Sequence, residues 1–406
     1  MSENSYSISK FFLKVNQALW KRATLQKVRN TFYFIDWFLL FGTDKREKEI
    51  ESKKKKKELI VYNMALGDGI MFLGVAKHLR NIYSEEKYEL TIACQSAFRS
   101  LYEETGIFDE VLPCDFAGSI VNLKKRRELF LKLRKKKYDV VIDPVGCDNC
   151  TTNVFVTRAV IGKEKIGVLD KTLPHVQCPE WMRKKIYTKV VGIDENNLHL
   201  IEFYAEFLKN LGDNTCKAHP AKFQKIELNL KLPDKFFIIF PTASMGVKRW
   251  PLDRYAFITK EIQKKTGMKL VVCGTNHDWP IIEEFLKLIP DVETINFVGK
   301  TNIREFIELI GRAALVVTND TSAYHIAVAQ QCEVALICGG YTYTRYANYN
   351  YAEQGYKNPV LICKKMDCYD CNNYCKYNNR EIFPCIDNIT KEMAWSIVEK
   401  MIDGGR

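Results

Sequence analysis

From Leu59 onward, two spacings of apolar residues alternate along the chain. Short apolar runs of strand length recur at Leu59–Asn63, Glu89–Ala93, Asp109–Leu112, Asp139–Asp143 and Lys165–Val168. Between them apolar residues return every three or four positions, as in Ile70, Leu73, Ala76, Leu79 and Ile82, which predicts helices. Leu198–Leu211 closes this series as a helix. Residues 213–235 carry little periodic pattern. A second series then opens with Phe236–Pro241. It continues through strands at Lys269–Cys273, Thr294–Val298, Leu315–Thr318 and Val334–Cys338. Helices start near Asp253, Asp278, Asn302 and Ser322, and Thr390–Met401 is the last. Apolar strands alternating with helices predict parallel sheets covered on both faces. The reading is an α/β chain of two similar halves, with ligands expected at the carboxyl ends of the strands, in the cleft between the halves. Its divisions are 1–58, 59–212, 213–235 as the connection, and 236–406.

The first 58 residues follow a different rule. Bulky apolar residues interleave with basic ones, ending in the run Thr31–Gly42, which Asp36 interrupts. This run is about half a bilayer span. It predicts either a helix packed on the protein's own body or an interfacial helix on an anionic membrane. Lys45–Glu58 reads as a solvated linker, too charged to bury. No run long enough to span a membrane occurs, and no secretory leader is apparent. Over 406 residues the composition is 47% hydrophobic and 27% charged, which excludes wholesale disorder. The net charge of +12 is concentrated in the N-terminal region and in Asn122–Lys137; the rest is slightly acidic. Two local patches favour docking on an anionic surface over coating a nucleic acid, and no nucleic-acid-binding module is present.

Neither first strand is followed by GxGxxG. Gly69–Gly74 fits GxxxxG but lacks the Lys-Ser/Thr of a phosphate-binding loop. Three other constellations carry chemistry. Leu66-Gly67-Asp68-Gly69 follows the first strand and puts Asp68 at a helix N-terminus, as a capping residue or as a general base. Pro241–Pro251 follows the first strand of the second half. Its Thr242, Ser244 and Lys248 suit a diphosphate, although an ordinary strand–helix loop has the same outline. Thr318–His325 opens a helix with polar residues, as an anion site at a helix N-terminus does, or as a plainly capped helix with a structural His325.

In order and spacing these three segments resemble glycosyltransferase family 9, the ADP-heptose:lipopolysaccharide heptosyltransferase family, over roughly residues 59–402. Ala65-Leu66-Gly67-Asp68 matches the family's (S/A)LGD, and Pro241–Ser244 with Lys248–Pro251 matches P-G-A-S…K-R-W-P. Thr318–Ala327 matches T-N-D-(T/S)-G-x-x-H-x-A. Thr242 and Ala323 stand where the family usually has glycine. The resemblance implies a GT-B fold, with acceptor on the first half and nucleotide sugar on the second. It implies inverting transfer without a required metal, with ADP-heptose as donor. Asp68 would be the base. Lys248, Ser244 and the amides of Thr321 and Ser322 would stabilise the leaving diphosphate, with Thr242 and His325 beside them. Asp320 would hold sugar hydroxyls, and Asp278 is a candidate for the ribose.

On the acceptor side stand Gly67 and the basic residues Lys124, Lys125, Arg126 and Arg127. The basic segment is either a solvated helix face or an anchor for an acidic glycolipid or oligosaccharide acceptor at the inner face of the cytoplasmic membrane. Of 14 cysteines, ten are scattered in the manner of buried thiols. Cys368, Cys371, Cys375 and Cys385 cluster, with Cys363 upstream, and suit either a structural Zn or Fe or free, redox-labile thiols. Two rival functions stay open: the same fold with another nucleotide hexose, and a non-catalytic GT-B binding protein of envelope assembly.

Overall fold

The computed structural model describes residues 25–40, 55–170, 177–193, 198–377 and 381–404. The chain divides into two compact units. The first is built on six parallel strands: β1 (Lys56–Tyr62), β2 (Tyr88–Gln95), β3 (Glu110–Cys114), β4 (Lys137–Asp143), β5 (Ile161–Val168) and β6 (Lys189–Val191), in the order β3-β2-β1-β4-β5-β6. The second repeats the plan with β7 (Phe236–Phe240), β8 (Lys269–Val272), β9 (Thr294–Asn296), β10 (Leu315–Asn319), β11 (Val334–Cys338) and β12 (Val360–Cys363), in the order β12-β11-β10-β7-β8-β9. Strand β12 was not foreseen. Each sheet reverses its winding beside its first strand, which is where open α/β sheets bind ligands.

In the second unit, β7, β10 and β11 are buried along their whole length. Helices cover both faces, so no polar alternation is needed. The register Val317↔Ile239 and Thr318↔Phe240 brings the carboxyl ends of β10 and β7 level. The loops after them, Pro241–Pro251 and Asp320–Thr321, therefore leave the sheet side by side. This unit also takes in Ala65–Ala76 and Asn197–Ala205, which the sequence reading assigned to the first half. Residues 213–235 contain no helix or strand, as expected. Part of the segment is clipped to the helix Ile303–Gly311: Arg304 and Arg312 donate to the carbonyls of Gln224 and Ile226 at 2.9 and 3.0 Å.

In the first unit, the helix Leu25–Leu39 lies on the protein's own body along one side. Asp36 is buried and receives both arms of the Arg126 guanidinium at 2.5 and 2.7 Å. The Arg126 cation also faces the rings of Phe32, Phe130 and Phe155 at 5.0–5.3 Å. This corrects the sequence reading of Arg126 as an acceptor-side cation. It lies one turn before Leu129 and Phe130 and points inward with them, whereas Lys124, Lys125 and Arg127 are exposed. Lys125 pairs with Asp115 at 2.9 Å.

A second correction concerns Glu58. The sequence pattern puts it in a solvated linker, but β1 already starts at Lys56, and Glu58 pairs with Leu90 on one side and Val140 on the other. A central strand is enclosed whatever its side chains are. Glu58 is buried, and neither carboxylate oxygen has a hydrogen-bond partner among the described residues. Burial pushes its pKa well above the usual range, opposed only in part by Arg80. The unfolded chain therefore ionises at a lower pH than the folded one. Stability should fall as pH rises from the ordinary glutamate range through the raised folded value. Glu58→Gln removes this dependence. We expect its stability relative to wild type to rise by about 1–3 kcal/mol between pH 4.5 and pH 8, read from urea midpoints. An equal difference at both pH values would contradict it.

Candidate donor-binding and catalytic site

Asp68 sits in the first turn of the helix Leu66–Ala76, which packs along the helix Ser322–Ala329 within the second unit. Two glycines permit this seat. A Cβ on Gly67 would lie 2.6 Å from Cδ2 of His325, and one on Gly74 would lie 2.1 Å from the carbonyl oxygen of His219. Gly67 thus serves close helix packing. Asp68 is half-buried, and burial raises its pKa to about 6. Arg345 opposes that rise and the charge of Asp320 adds to it.

Asn319 stitches the loops after β7 and β10 together. Its amide donates to the carbonyls of Pro241 and Thr242 at 2.8 and 3.2 Å, and its Oδ1 accepts from the Trp250 amide at 3.2 Å. Trp250 is itself locked by its indole N–H on the Ile389 carbonyl at 2.8 Å. This network holds Lys248 so that its Nζ lies 3.8 Å from Asp320 and 4.3 Å from the centre of the Tyr341 ring. Thr242 is buried and Ser244 exposed. Thr321 takes the N-cap position of the Ser322 helix without capping it. Its hydroxyl instead lies 3.2 Å from that of Thr318. A positively polarised helix end with donor N–H groups thus stands beside Lys248 and Asp320.

His325 is buried. Its Nδ1 lies 2.8 Å from the Tyr349 hydroxyl and its Nε2 4.0 Å from Asp320. Burial lowers its pKa to about 4, so the ring is neutral at pH 7. Asp278 accepts from the amide and hydroxyl of Thr275 at 2.8 and 2.7 Å, closing the turn after β8.

Sequence reasoning brought Asp68, Lys248, Asp320, Thr321, Ser322 and His325 forward, and all belong to one unit. It missed Asn319 as the stitch, and it missed Arg345, His199, Tyr349 and Tyr351. His199 is buried, with its ring 4.4 Å from that of Tyr349 and its Nδ1 3.3 Å from the Tyr351 hydroxyl. One signal was available. Gly339–Tyr356 holds six tyrosines around a single arginine, directly after an apolar strand.

Cys368, Cys371, Cys375 and Cys385 line one small cavity with Tyr341 and Phe383. Burial and the neighbouring thiols raise Cys385 to about 11. Among the described residues, no three His, Cys, Asp or Glu side chains stand so as to hold a metal ion. The thiols as placed therefore do not fit one, and no chemistry is assigned to it.

Two doubly wound parallel sheets, with polar loops and a helix N-terminus at the carboxyl edge of the second, have the architecture of the GT-B fold. The family model of glycosyltransferase family 9 (heptosyltransferase) matches residues 126–372, more than half of the chain, and the chain belongs to that family. It is 25% identical to lipopolysaccharide heptosyltransferase 3 of Escherichia coli (strain K12) over 288 residues, 67% of this chain and 79% of that protein. In fold it resembles the family 9 glycosyl transferase of Veillonella parvula DSM 2008, with a TM-score of 0.69 at 18% identity over 88% of this chain and 100% of that one. It also resembles the E. coli heptosyltransferase WaaC with ADP, with a TM-score of 0.59 at 14% identity over 86% and 98%.

The contact at Gly67 gives a direct test. Gly67→Ala must displace the His325 ring or the helix, at a cost of about 1–3 kcal/mol in urea unfolding. In a His325→Ala background most of that cost should vanish. Equal costs in both backgrounds would mean that the two residues do not compete for the same space.

Proposed function

We propose that the protein is an inverting glycosyltransferase that moves heptose from ADP-heptose onto a cell-envelope glycan of the lipopolysaccharide type. The observation that carries this reading is one cluster. Asp68 is close enough to Asp320 to feel its charge, and Asp320 is 3.8 Å from Lys248 beside the Ser322 helix end. WaaC, a relative in fold, was solved with ADP. In the reaction, the Asp68 carboxylate takes the proton of an acceptor hydroxyl. The acceptor oxygen attacks the anomeric carbon from the face opposite the diphosphate. The bond from that carbon to the phosphate oxygen breaks, and ADP leaves with its electron pair. Lys248 and the amides of the Ser322 helix stabilise the charge that develops there. Asp320, held near Lys248, is placed to accept hydroxyls of the sugar.

Two variants separate these roles in one assay that follows ADP release and donor binding. Asp68→Asn should bind ADP-heptose within a few-fold of wild type and lose about 10²–10⁴-fold in transfer. Lys248→Ala should weaken ADP-heptose binding by tenfold or more while adenosine binding stays the same. Wild-type turnover in Asp68→Asn would remove the base assignment. Equal losses for ADP-heptose and adenosine would make Lys248 a structural residue.

We also infer that the protein works against the inner face of the cytoplasmic membrane, where lipid-linked acceptors lie. No helix among the described residues is long and apolar enough to cross a membrane. On the helix that Asp36 anchors, Phe34, Trp37 and Phe38 are 63%, 60% and 75% exposed. Exposed Trp181 meets Tyr33 edge-on, with Lys185 over its ring, and exposed Lys124 and Arg127 lie on the helix that carries Arg126. Aromatic rings with lysines around them suit an anionic lipid interface. In flotation with anionic vesicles, wild type should keep a salt-resistant bound fraction. The triple variant Phe34→Ser, Trp37→Ser, Phe38→Ser should keep only binding that fades as the screening length falls from ~10 Å at 0.1 M to ~3 Å at 1 M salt. A full-length protein that ignores such vesicles at low salt would contradict the inference.

A further inference from the structure

Lys248 has a carboxylate and an aromatic ring as neighbours. Its Nζ lies 3.8 Å from Oδ2 of Asp320 and 4.3 Å from the centre of the Tyr341 ring. Both charged side chains are only 13% exposed, so little water screens them. A lysine and an aspartate this close are expected to shut into a hydrogen-bonded pair at about 2.7–2.9 Å. Here the ammonium stops outside hydrogen-bond reach of the carboxylate. The ring supplies a second attraction, because a tyrosine face draws a cation within about 6 Å of its centre, most strongly where water is excluded. Tyr341 is buried in the turn Gly340–Thr342 that follows β11. A Cβ on Gly339 would lie 2.1 Å from Cε1 of Tyr341, and one on Gly340 would lie 2.3 Å from Cδ2 of Tyr369. The two glycines thus let both rings lie directly on the backbone. The Phe383 ring packs on that of Tyr341 with centres 5.5 Å apart. The Cys-rich segment fastens this wall at two points. The Asp370 amide donates to the Gly340 carbonyl at 2.6 Å, and the Phe383 amide donates at 2.8 Å to the carbonyl of Val247, next to Lys248. One framework within the second unit therefore holds both the ring and the backbone of the lysine.

We propose that Tyr341 is a positioning residue for donor binding, whose enclosed ring holds the Lys248 ammonium off Asp320 and presents it to the diphosphate. The proposal rests on the reading of Lys248 as the cation of the diphosphate site. An ammonium hydrogen-bonded to Asp320 would have to break that bond before it met a phosphate. A ring face attracts the cation without the directed hydrogen bond that a carboxylate takes, so the three N–H donors stay available. It also leaves the Asp320 oxygens for the hydroxyls of the sugar. The charge is set in place before the donor arrives, which reduces what binding must reorganise. The task belongs to the ring face and not to the hydroxyl, so a phenylalanine at this position should perform it as well.

Two measurements test this. Full-length protein is labelled with ¹³C at lysine Cε, and the Lys248 signal is assigned by its absence in Lys248→Arg. A ring beneath the ammonium moves the attached ε-protons upfield. We expect that displacement in wild type and in Tyr341→Phe, and its loss in Tyr341→Leu. By titration calorimetry, Tyr341→Leu should bind ADP about three- to tenfold more weakly than wild type with adenosine affinity unchanged, whereas Tyr341→Phe should bind ADP within about twofold of wild type. In a Lys248→Ala background, Tyr341→Leu should cost ADP no further affinity. If Tyr341→Leu does not fold, Tyr341→Met carries the same expectations. Tyr341→Phe as weak as Tyr341→Leu, an equal loss for ADP and adenosine, or a loss that persists without Lys248 would overturn the proposal. Lys248 ε-protons that resonate at the same place with and without the ring would overturn the seat alone. ADP binding that ignores Lys248→Ala would overturn the reading of Lys248, and the role of Tyr341 in donor binding with it, even if the ε-proton displacement were present.

Discussion

Gly67 has no side chain, and His325 occupies the place where one would be. On that close approach the arrangement of charge in the second unit depends. It lets the helix that leaves β1 lie along the Ser322 helix, so that Asp68 joins the unit that carries Lys248 and Asp320. Gly74, against the His219 carbonyl, makes the same allowance two turns further on. A bulkier residue at either point would shift the helix, and Asp68 with it.

Around that seat Lys248 faces Asp320, while the two buried histidines stay neutral and pack as rings. Asn319 keeps Lys248 and Asp320 in register by tying the loop after β7 to the end of β10. In the proposed reaction the helix amides beside Thr321 are fixed dipoles that need no reorganisation when charge develops on a leaving group. Tyr341 under Lys248 and Tyr349 against His325 add rigid rings to the same region.

Much of this was legible in the sequence because the signals are local. Apolar runs such as Phe236–Phe240 and Leu315–Val317 can only be enclosed strands, and Thr318–His325 has the outline of a strand that feeds a helix N-terminus. What escaped was set by distance along the chain or by enclosure. Glu58 is charged, yet partners on both sides bury it. Arg126 lies in a basic run, yet helical spacing turns it inward with Leu129 and Phe130 to meet Asp36, ninety positions earlier. His199 reaches the region only through tertiary packing, and the tyrosine-rich run around Arg345 does not by itself say what it packs against.

The central claim is that the second unit recognises a nucleotide diphosphate sugar, and donor selectivity measured by titration calorimetry tests it most directly. The protein would be titrated with ADP-heptose, ADP, adenosine and the UDP- and GDP-hexoses. The account predicts that ADP-heptose and ADP bind far more tightly than adenosine, because the diphosphate meets Lys248 and the helix amides, and that UDP- and GDP-hexoses bind weakly. Equal affinity for adenosine and ADP, or preferred binding of a uridine or guanosine sugar, would contradict it.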